Sequence, residues 1–329
     1  MRNTNRTRSK PVGKSIDFPL STGVQGKSIV VVGSSNTDMI IQINRIPRTG
    51  ETVLGGEFMT AAGGKGANQA VAAARAGGNV TLVARIGQDV FGDRALAGFE
   101  HDGVHTGFIF RDKACPSGVA MIFVAKDGGN SIAVASGANM RLSVADVRKA
   151  QNVIARAGAV VLQLETPIGT VLRAAELAAG AGVPVILNPA PARRLPDKLM
   201  KLVSFLTPNE IEAELLTGIA VRDKATAARA ADSLLARGVQ TVILTLGSRG
   251  ALVASRGRKQ IVHGFKVKAV DTTAAGDIFN GALAVALGEG QMLIEAVRFA
   301  NASAAISVTR PGAQPSAPKR SEIERLLRG

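Results

Sequence analysis

The stretch Asp271-Thr272-Thr273-Ala274-Ala275-Gly276-Asp277, followed by an apolar helical pattern over 278–287, carries the most concentrated chemistry in this sequence. Small residues at 274–276 let backbone amides converge at a helix start, and Asp277 falls in the first turn, where its carboxylate can face the same space. An anion hole beside a base is what phosphoryl transfer needs. N–H donors sit where negative charge builds, and a carboxylate lies within reach of the attacking hydroxyl's proton. A first-turn carboxylate also serves as a plain helix cap, and the residue types leave both roles open.

Three further stretches offer polar groups in spacings that suit a ligand. In Gly33-Ser34-Ser35-Asn36-Thr37-Asp38 an amide and a carboxylate stand two positions apart, a pattern that fits paired hydroxyls of a sugar and equally an Asx turn. Gly63-Gly64-Lys65-Gly66-Ala67-Asn68-Gln69-Ala70 frees amides at the start of a helix for an anion or a polar substrate. It is not a P-loop, because Gly66 and not Ser or Thr follows Lys65, and the dinucleotide fingerprint fails because Ser34-Ser35 follow Gly33. Thr245-Leu246-Gly247-Ser248-Arg249-Gly250 could cradle a nucleotide, and Thr207-Pro208-Asn209-Glu210-Ile211-Glu212 could hold a hydrated Mg²⁺. Ordinary turn glycines and a solvated helix carboxylate are the competing readings.

These stretches need a scaffold that sets them at one edge. Continuous apolar runs at 29–32, 80–83, 159–162, 183–187, 205–207 and 242–245 read as buried parallel strands. Ala-rich helical patterns at 67–76, 169–179 and 225–236 alternate with them, which predicts an α/β fold with a doubly wound sheet. In such sheets ligands bind beyond the carboxyl ends of the strands, where the loaded stretches fall. Residues 39–59 and about 107–135 break the rhythm as short strands and turns, and are expected to pair as a small sheet inserted over the site as a lid. Residues 1–27 carry Arg2, Arg6, Arg8, Lys10, Lys14 and Lys27 against Asp17, are broken by Pro11, Gly13, Pro19 and Gly23, and read as a basic, disordered tail. The remainder, 28–329, reads as one domain.

Composition narrows the classes. The 329 residues hold 46% hydrophobic and 20% charged side chains, a globular balance, and no apolar stretch approaches the ~20 residues of a membrane span. A single cysteine, Cys115, precludes an internal disulfide framework and points to a reducing, cytoplasmic setting. His101, His105 and His263 are scattered and predict no zinc site. The net charge of +15 admits nucleic acid as a partner, but there is no zinc spacing, basic helix or aromatic interleaving to carry it; a phosphate-rich substrate suits the excess as well.

Taken together, the loaded stretches resemble the ribokinase family within the PfkB carbohydrate-kinase superfamily, over about residues 29–327. The two signatures at 63–70 and 271–277 carry the likeness, supported by Gln163-Leu164-Glu165-Thr166-Pro167, Asn188-Pro189-Ala190-Pro191-Ala192, Thr207-Pro208-Asn209-Glu210 and the 245–250 loop. The resemblance implies a mostly parallel central sheet with helices on both faces and a small β-sheet lid. It also implies ATP-dependent phosphorylation of the 5-hydroxyl of D-ribose to D-ribose 5-phosphate, with Asp277 as general base and Ala274, Ala275 and Gly276 as the anion hole. By the same likeness Asn36, Asp38, Gly64, Lys65, Asn68 and Glu165 contact the sugar, and Asn209, Thr245, Gly247, Ser248, Gly250, Gly276 and Asn301 meet ATP. Glu212 matches the motif tied to Mg²⁺, acting indirectly. Asp271, Thr273, Ser307, Arg310, Gly312 and Ser316 would surround a K⁺ ion, several through backbone carbonyls, and the lid strands would join two copies in a homodimer. The alternatives are a kinase of the same superfamily acting on another sugar or a nucleoside, and a sugar-binding regulator without catalysis. Retention of Asp277, the small residues before it and the Asn209/Glu212 pair speaks against the regulator.

Overall fold

The computed structural model describes residues 28–127 and 129–329, so the basic segment expected to be a disordered tail lies outside the described residues. The strands, in chain order, are β1 (Ser28–Val32), β2 (Asn36–Ile43), β3 (Glu57–Gly63), β4 (Asn79–Gly87), β5 (His105–Asp112), β6 (Gly118–Ala125) and β7 (Asn130–Ala135). They continue as β8 (Ala159–Leu162), β9 (Val185–Leu187), β10 (Phe205–Leu206), β11 (Thr241–Thr245), β12 (Ala251–Ser255) and β13 (Arg258–Val262). The helices are α1 (Lys65–Arg75), α2 (Val90–His101), α3 (Val144–Lys149), α4 (Gln151–Ala155), α5 (Ile168–Gly180) and α6 (Asp197–Met200). After them come α7 (Glu210–Thr217), α8 (Lys224–Ala236), α9 (Ala275–Gly288), α10 (Leu293–Ser307) and α11 (Arg320–Arg328).

Nine strands form the large sheet in the order β13-β12-β11-β10-β9-β8-β1-β4-β5. All neighbours run parallel from β11 to β5, and only β12 and β13 are added antiparallel. The continuous apolar runs follow from cover on both faces. In β1, Ile29 and Val31 enter one core with α1, α9 and α10, while Val30 and Val32 enter the other with α5, α7 and α8. The doubly wound, mostly parallel architecture expected from the sequence is the one observed.

A second sheet, in the order β3-β2-β6-β7, stands over one end of the first. Its central pair, β2 and β6, runs parallel with Asn36 opposite Gly118, and β3 and β7 flank it antiparallel. The expected insertion boundaries need correction. Residues 105–112 form β5 at the edge of the large sheet, parallel to β4, and β3 extends the small sheet to Gly63, past the predicted limit of 59. The physical reason is partial exposure: an edge strand half-covered on both faces, with Phe108 and Phe110 toward one core and Ile109 toward the other, lacks the fully buried apolar run of the central strands.

One close approach fixes the site. Helix α9 packs on α1 at Gly281, where an added Cβ would lie 2.6 Å from the Gln69 carbonyl oxygen, 2.7 Å from Ala72 Cβ and 2.8 Å from the Ala73 nitrogen. Backbone atoms cannot yield to such contacts, so Gly281→Ala is expected to lower stability by roughly 1–3 kcal/mol, read as a fall in the urea midpoint. An unchanged midpoint would show that the two helices can separate freely.

Candidate active site

A cleft of about 310 Å³ opens between the carboxyl ends of the large sheet and the inner face of the small one. Its floor carries Glu165, Asn188, Thr207 and Thr245 from the ends of the large sheet's strands, together with Asn68 and Asp277 from the first turns of α1 and α9. Its roof carries Asp38, Ala120, Ile122, Ile132 and Val134. Polar groups below and apolar groups above are what a compact, hydroxyl-rich ligand needs for orientation and for exclusion of water.

Asp277 lies in the first turn of α9, as the sequence predicts, but it does not cap the helix. Ala274 occupies the N-cap in a left-handed conformation, φ 57°, and supplies no side-chain acceptor. The Asp277 carboxylate, 5% exposed, instead accepts Nδ2–H of Asn68 on one oxygen at 3.0 Å and Nε2–H of Gln69 on the other at 2.9 Å. The amide of Ala275 turns back to the Thr272 carbonyl at 3.3 Å, leaving the next amides uncapped at the positive end of a 14-residue helix. A Cβ on Gly276 would meet open space, so bare backbone faces the cleft there.

The opposing carboxylates are built from neighbouring turns. Ser34 Oγ donates to Glu165 Oε2 at 2.5 Å, the Lys65 amide donates to the same oxygen at 3.0 Å, and the Gly66 amide reaches Ser34 Oγ at 3.2 Å. Asp38 lies across the end of β3, where any side chain at Gly63 would fall within 2.5 Å of the carboxylate. Burial, then the charges of Glu165 and Asp277, push the Asp38 carboxyl up to about 6. The same two carboxylates, Asp277 first, hold the Lys65 ammonium above its ordinary range against burial. Asn36 is fixed by Asn139, whose Nδ2 donates to Asn36 Oδ1 at 2.7 Å and whose Oδ1 accepts the Ser35 amide at 2.8 Å.

The residues expected to meet a nucleotide divide. Asn209 and Thr245 line the cleft, and Asn209 forms a reciprocal cap with Glu212: its Oδ1 accepts the Glu212 amide at 2.8 Å and Glu212 Oε2 accepts the Asn209 amide at 2.9 Å. Glu212 is therefore buried and capped, with its carboxyl raised chiefly by burial, rather than a solvated helix residue. Gly247, Ser248, Gly250 and Asn301 lie outside the cleft lining. Gly250, at φ 93°, passes so close to the Val262 carbonyl that a Cβ would lie 2.1 Å from it, and Asn301 donates to the carbonyls of Val262 at 3.1 Å and His263 at 3.3 Å. These two shape the β12–β13 corner. Arg249, which the sequence admits as a phosphate ligand, pairs with Glu210.

The residues expected around a cation lie behind the start of α9. Asp271 accepts the Thr273 amide on Oδ1 and the Gly312 amide on Oδ2, both at 2.8 Å, while its own amide reaches the Val308 carbonyl at 3.1 Å. The loop before α9 is thereby tied to the turn after α10. The Arg310 side chain turns away to Glu322, and Ser307 and Ser316 donate to nearby carbonyls at 2.8 and 2.7 Å, so these positions offer a cation mainly backbone oxygens. Among the described residues no group of three or more His, Cys, Asp or Glu side chains is arranged to hold a metal.

Several residues with parts in the site escape the sequence reading. Gln69, Gln163 and Asn188 fall inside the signature stretches without an assigned role, and Asn139, Thr207 and Asn280 complete the buried polar network. Thr207 Oγ1 donates to Asn280 Oδ1, and Asn280 Nδ2 to the Gly276 carbonyl, both at 2.7 Å. The available signal was spacing: Asn280 follows Asp277 by three positions on one helix.

The family described as pfkB family carbohydrate kinase matches residues 26–320. The chain is similar to the ribokinase of Haemophilus influenzae, 46% identical over 92% of this chain and 98% of that protein. It is similar also to the deoxyribokinase of Salmonella typhi, 38% identical over 91% of this chain and 98% of that protein. Among solved structures, the Arabidopsis thaliana ribokinase complexed with ribose and ATP superposes with a TM-score of 0.87 at 35% identity, covering 93% of this chain and 100% of that one.

The tie through Asp271 makes a pH-dependent prediction. Burial opposes its charge, yet hydrogen bonds from Thr273 and from the Gly312 amide hold its carboxyl below the ordinary 3.8. A lowered value stabilises the fold above the unfolded value and is lost as pH falls through the folded one. Asp271→Asn should therefore unfold about 0.5–1.5 kcal/mol more easily at pH 7, and the gap should close below about pH 4, in urea titrations at both pH values.

Proposed function

This chain belongs to the pfkB family of carbohydrate kinases, and from that premise we propose that it transfers the γ-phosphoryl group of ATP to the 5-hydroxyl of D-ribose, giving D-ribose 5-phosphate. One juxtaposition carries the reading: a buried carboxylate, Asp277, held by two neutral amides beside uncapped helix-terminal N–H groups, with a second carboxylate, Asp38, facing it from the roof. The sugar lies between them. Asp38, Glu165 and the Asn36 carboxamide offer hydroxyl partners, and Asn68 Oδ1, buried without a partner among the described residues, is a further acceptor. Asp277 takes the proton of the attacking hydroxyl, while the amides at the start of α9 meet the charge that builds on the transferring group. No covalent intermediate is needed; positioning and electrostatics do the work, as in phosphoryl transfer generally.

ATP enters along Asn209 and Thr245, with the 247–250 turn and Asn301 shaping the wall beside them. The capped Asn209/Glu212 pair would hold, through water, a Mg²⁺ ion carried with the nucleotide, since that ion keeps much of its hydration and few protein ligands, and when bound it would supply neutralisation of phosphate charge. A K⁺ ion would suit the turn joined by Asp271, which supplies one formal charge among backbone oxygens, an oxygen cage of low charge rather than a carboxylate cluster. A homodimer is supported by the outer face of the small sheet. There Phe58 and Met121 are exposed, with Met39, Ile41 and Phe123 only half-buried beside them by register. Sedimentation velocity at micromolar protein tests that association, and a monomer rejects it. No described helix is long and apolar enough to cross a membrane.

The similarity to a deoxyribokinase makes 2-deoxyribose the specific second reading. An ADP-coupled assay across ribose, 2-deoxyribose, fructose and adenosine decides between them, and ribose is expected to give the highest kcat/KM. Asp277→Asn is expected to lower kcat on ribose by about 10²–10⁴ with normal folding. A near-normal rate in that variant removes the base from the account. The same assay with K⁺ replaced by tetramethylammonium is expected to run slower, and equal rates remove the cation.

Asp38 supplies a pH test. Its carboxylate is the better acceptor for sugar hydroxyls, and that form is lost as pH falls through about 6. The KM for ribose should therefore rise as pH drops from 7.5 to 5.5, and Asp38→Asn should flatten that dependence. Initial-rate KM values at constant ionic strength check both.

A further inference from the structure

A buried file of carboxamides ends on Asp277. Gln163, just past the end of β8 and 1% exposed, donates from Nε2 to Gln69 Oε1 at 2.6 Å. Gln69, in the first turns of α1 and fully buried, donates from Nε2 to Asp277 Oδ1 at 2.9 Å and to Asn188 Oδ1 at 3.2 Å. Neither glutamine lines the cleft, and the mechanism above uses Gln69 only as a donor to Asp277 and Gln163 not at all.

We infer that Gln163 and Gln69 form a positioning relay for the base: Gln163 sets the sense of the Gln69 carboxamide, and Gln69 fixes the plane of the Asp277 carboxylate. The direction of the relay follows from its last member. An ionised carboxylate only accepts, so Gln69 must turn its NH₂ toward Asp277, which leaves its oxygen toward Gln163 and requires an NH₂ from that side. The fold keeps this sense at a cost. Gln163 Oε1 is buried with no partner among the described residues, yet reversing that amide would set two carbonyl oxygens against each other at 2.6 Å. Space for the Gln163 head is also built in, since a Cβ on Gly33 at the end of β1 would lie 2.0 Å from its Oε1. Gln69 and Asn68 together give Asp277 one neutral donor on each oxygen. Neutral donors orient and stabilise the anion without the neutralising charge that a direct ion pair would place on a base.

The inference rests on Asp277 acting as the base, so its test is built to separate the two. Gln163→Glu replaces a donor by an acceptor of the same shape at a residue that touches neither substrate nor Asp277. With the new carboxyl ionised it can only accept, and Gln69 must reverse, facing its oxygen toward Asp277. The acid limb of the kcat profile at saturating ribose should move up by about one pH unit, kcat at a pH on that limb should fall about tenfold, and KM for ribose at pH 7.5 should stay within twofold. Gln69→Met should move the limb in the same direction, and in the double variant Gln163→Glu should add nothing. An unmoved limb in Gln69→Met overturns the relay even where Gln163→Glu fails to fold. Additive shifts in the double variant overturn it too, because Gln163 would then act without Gln69. Asp277→Asn is measured alongside: an active Asp277→Asn overturns the base and the relay together. An inactive Asp277→Asn with unmoved limbs in the glutamine variants overturns the relay alone.

Discussion

The site depends on the approach of α9 to α1. Asp277 and its two amide donors are about two hundred residues apart in the chain, and they meet because Gly281 lets the helix backbones come within side-chain contact of each other. A buried carboxylate is tolerable only with its hydrogen bonds complete, so the packing of these two helices and the electrostatics of Asp277 are one constraint. The apolar bulk of the same pair, including Ala67, Ala70, Phe279, Leu283 and Ala286, faces the core behind it. Burial on one side and amides on the other hold the carboxylate at the mouth of the helix dipole.

Around that point the charges are arranged unequally. The cleft gathers Asp38, Glu165, Glu212 and Asp277 with Lys65 as the cation among its lining residues, inside a chain whose net charge is +15. The local charge of the cleft is thus opposite in sign to the net charge of the chain. Polar threads then brace the start of α9 from below, through Asn280 to the Gly276 carbonyl, and from behind, through Asp271 to Gly312. Each thread crosses between distant parts of the chain, which makes the geometry of the loop before α9 a property of the whole domain rather than of its own sequence.

Much of this was legible in advance, and the limits have physical causes. Fully covered strands such as β1 and β8 announce themselves as unbroken apolar runs, and the Ala-rich helices between them follow. Asp277 could be placed in a first turn from the small residues before it. Whether it capped that turn could not be read, because the decision lies with Asn68 and Gln69 on another helix. The edge strand β5 reads as part of the wrong sheet, since its half-buried residues break the continuous apolar run that marks the fully covered strands. Asn301 and Gly250 could be marked as notable, but their role at the β12–β13 corner depends on carbonyls some forty and twelve residues away. Gln163, Asn188 and Asn139 act through contacts made only in the folded chain, and a lone amide in a sequence carries no mark of its partner.

The roof of the cleft has a thermodynamic consequence. Ile132 and Val134 stand 57% and 51% exposed on β7, over a floor of hydrogen-bonding groups. A molecule that fills the space beneath strips water from both aliphatic side chains while its own polar atoms bond downward. Calorimetry of such association carries a negative heat-capacity change although the ligand itself is hydrophilic, because the apolar surface being dehydrated belongs to the protein.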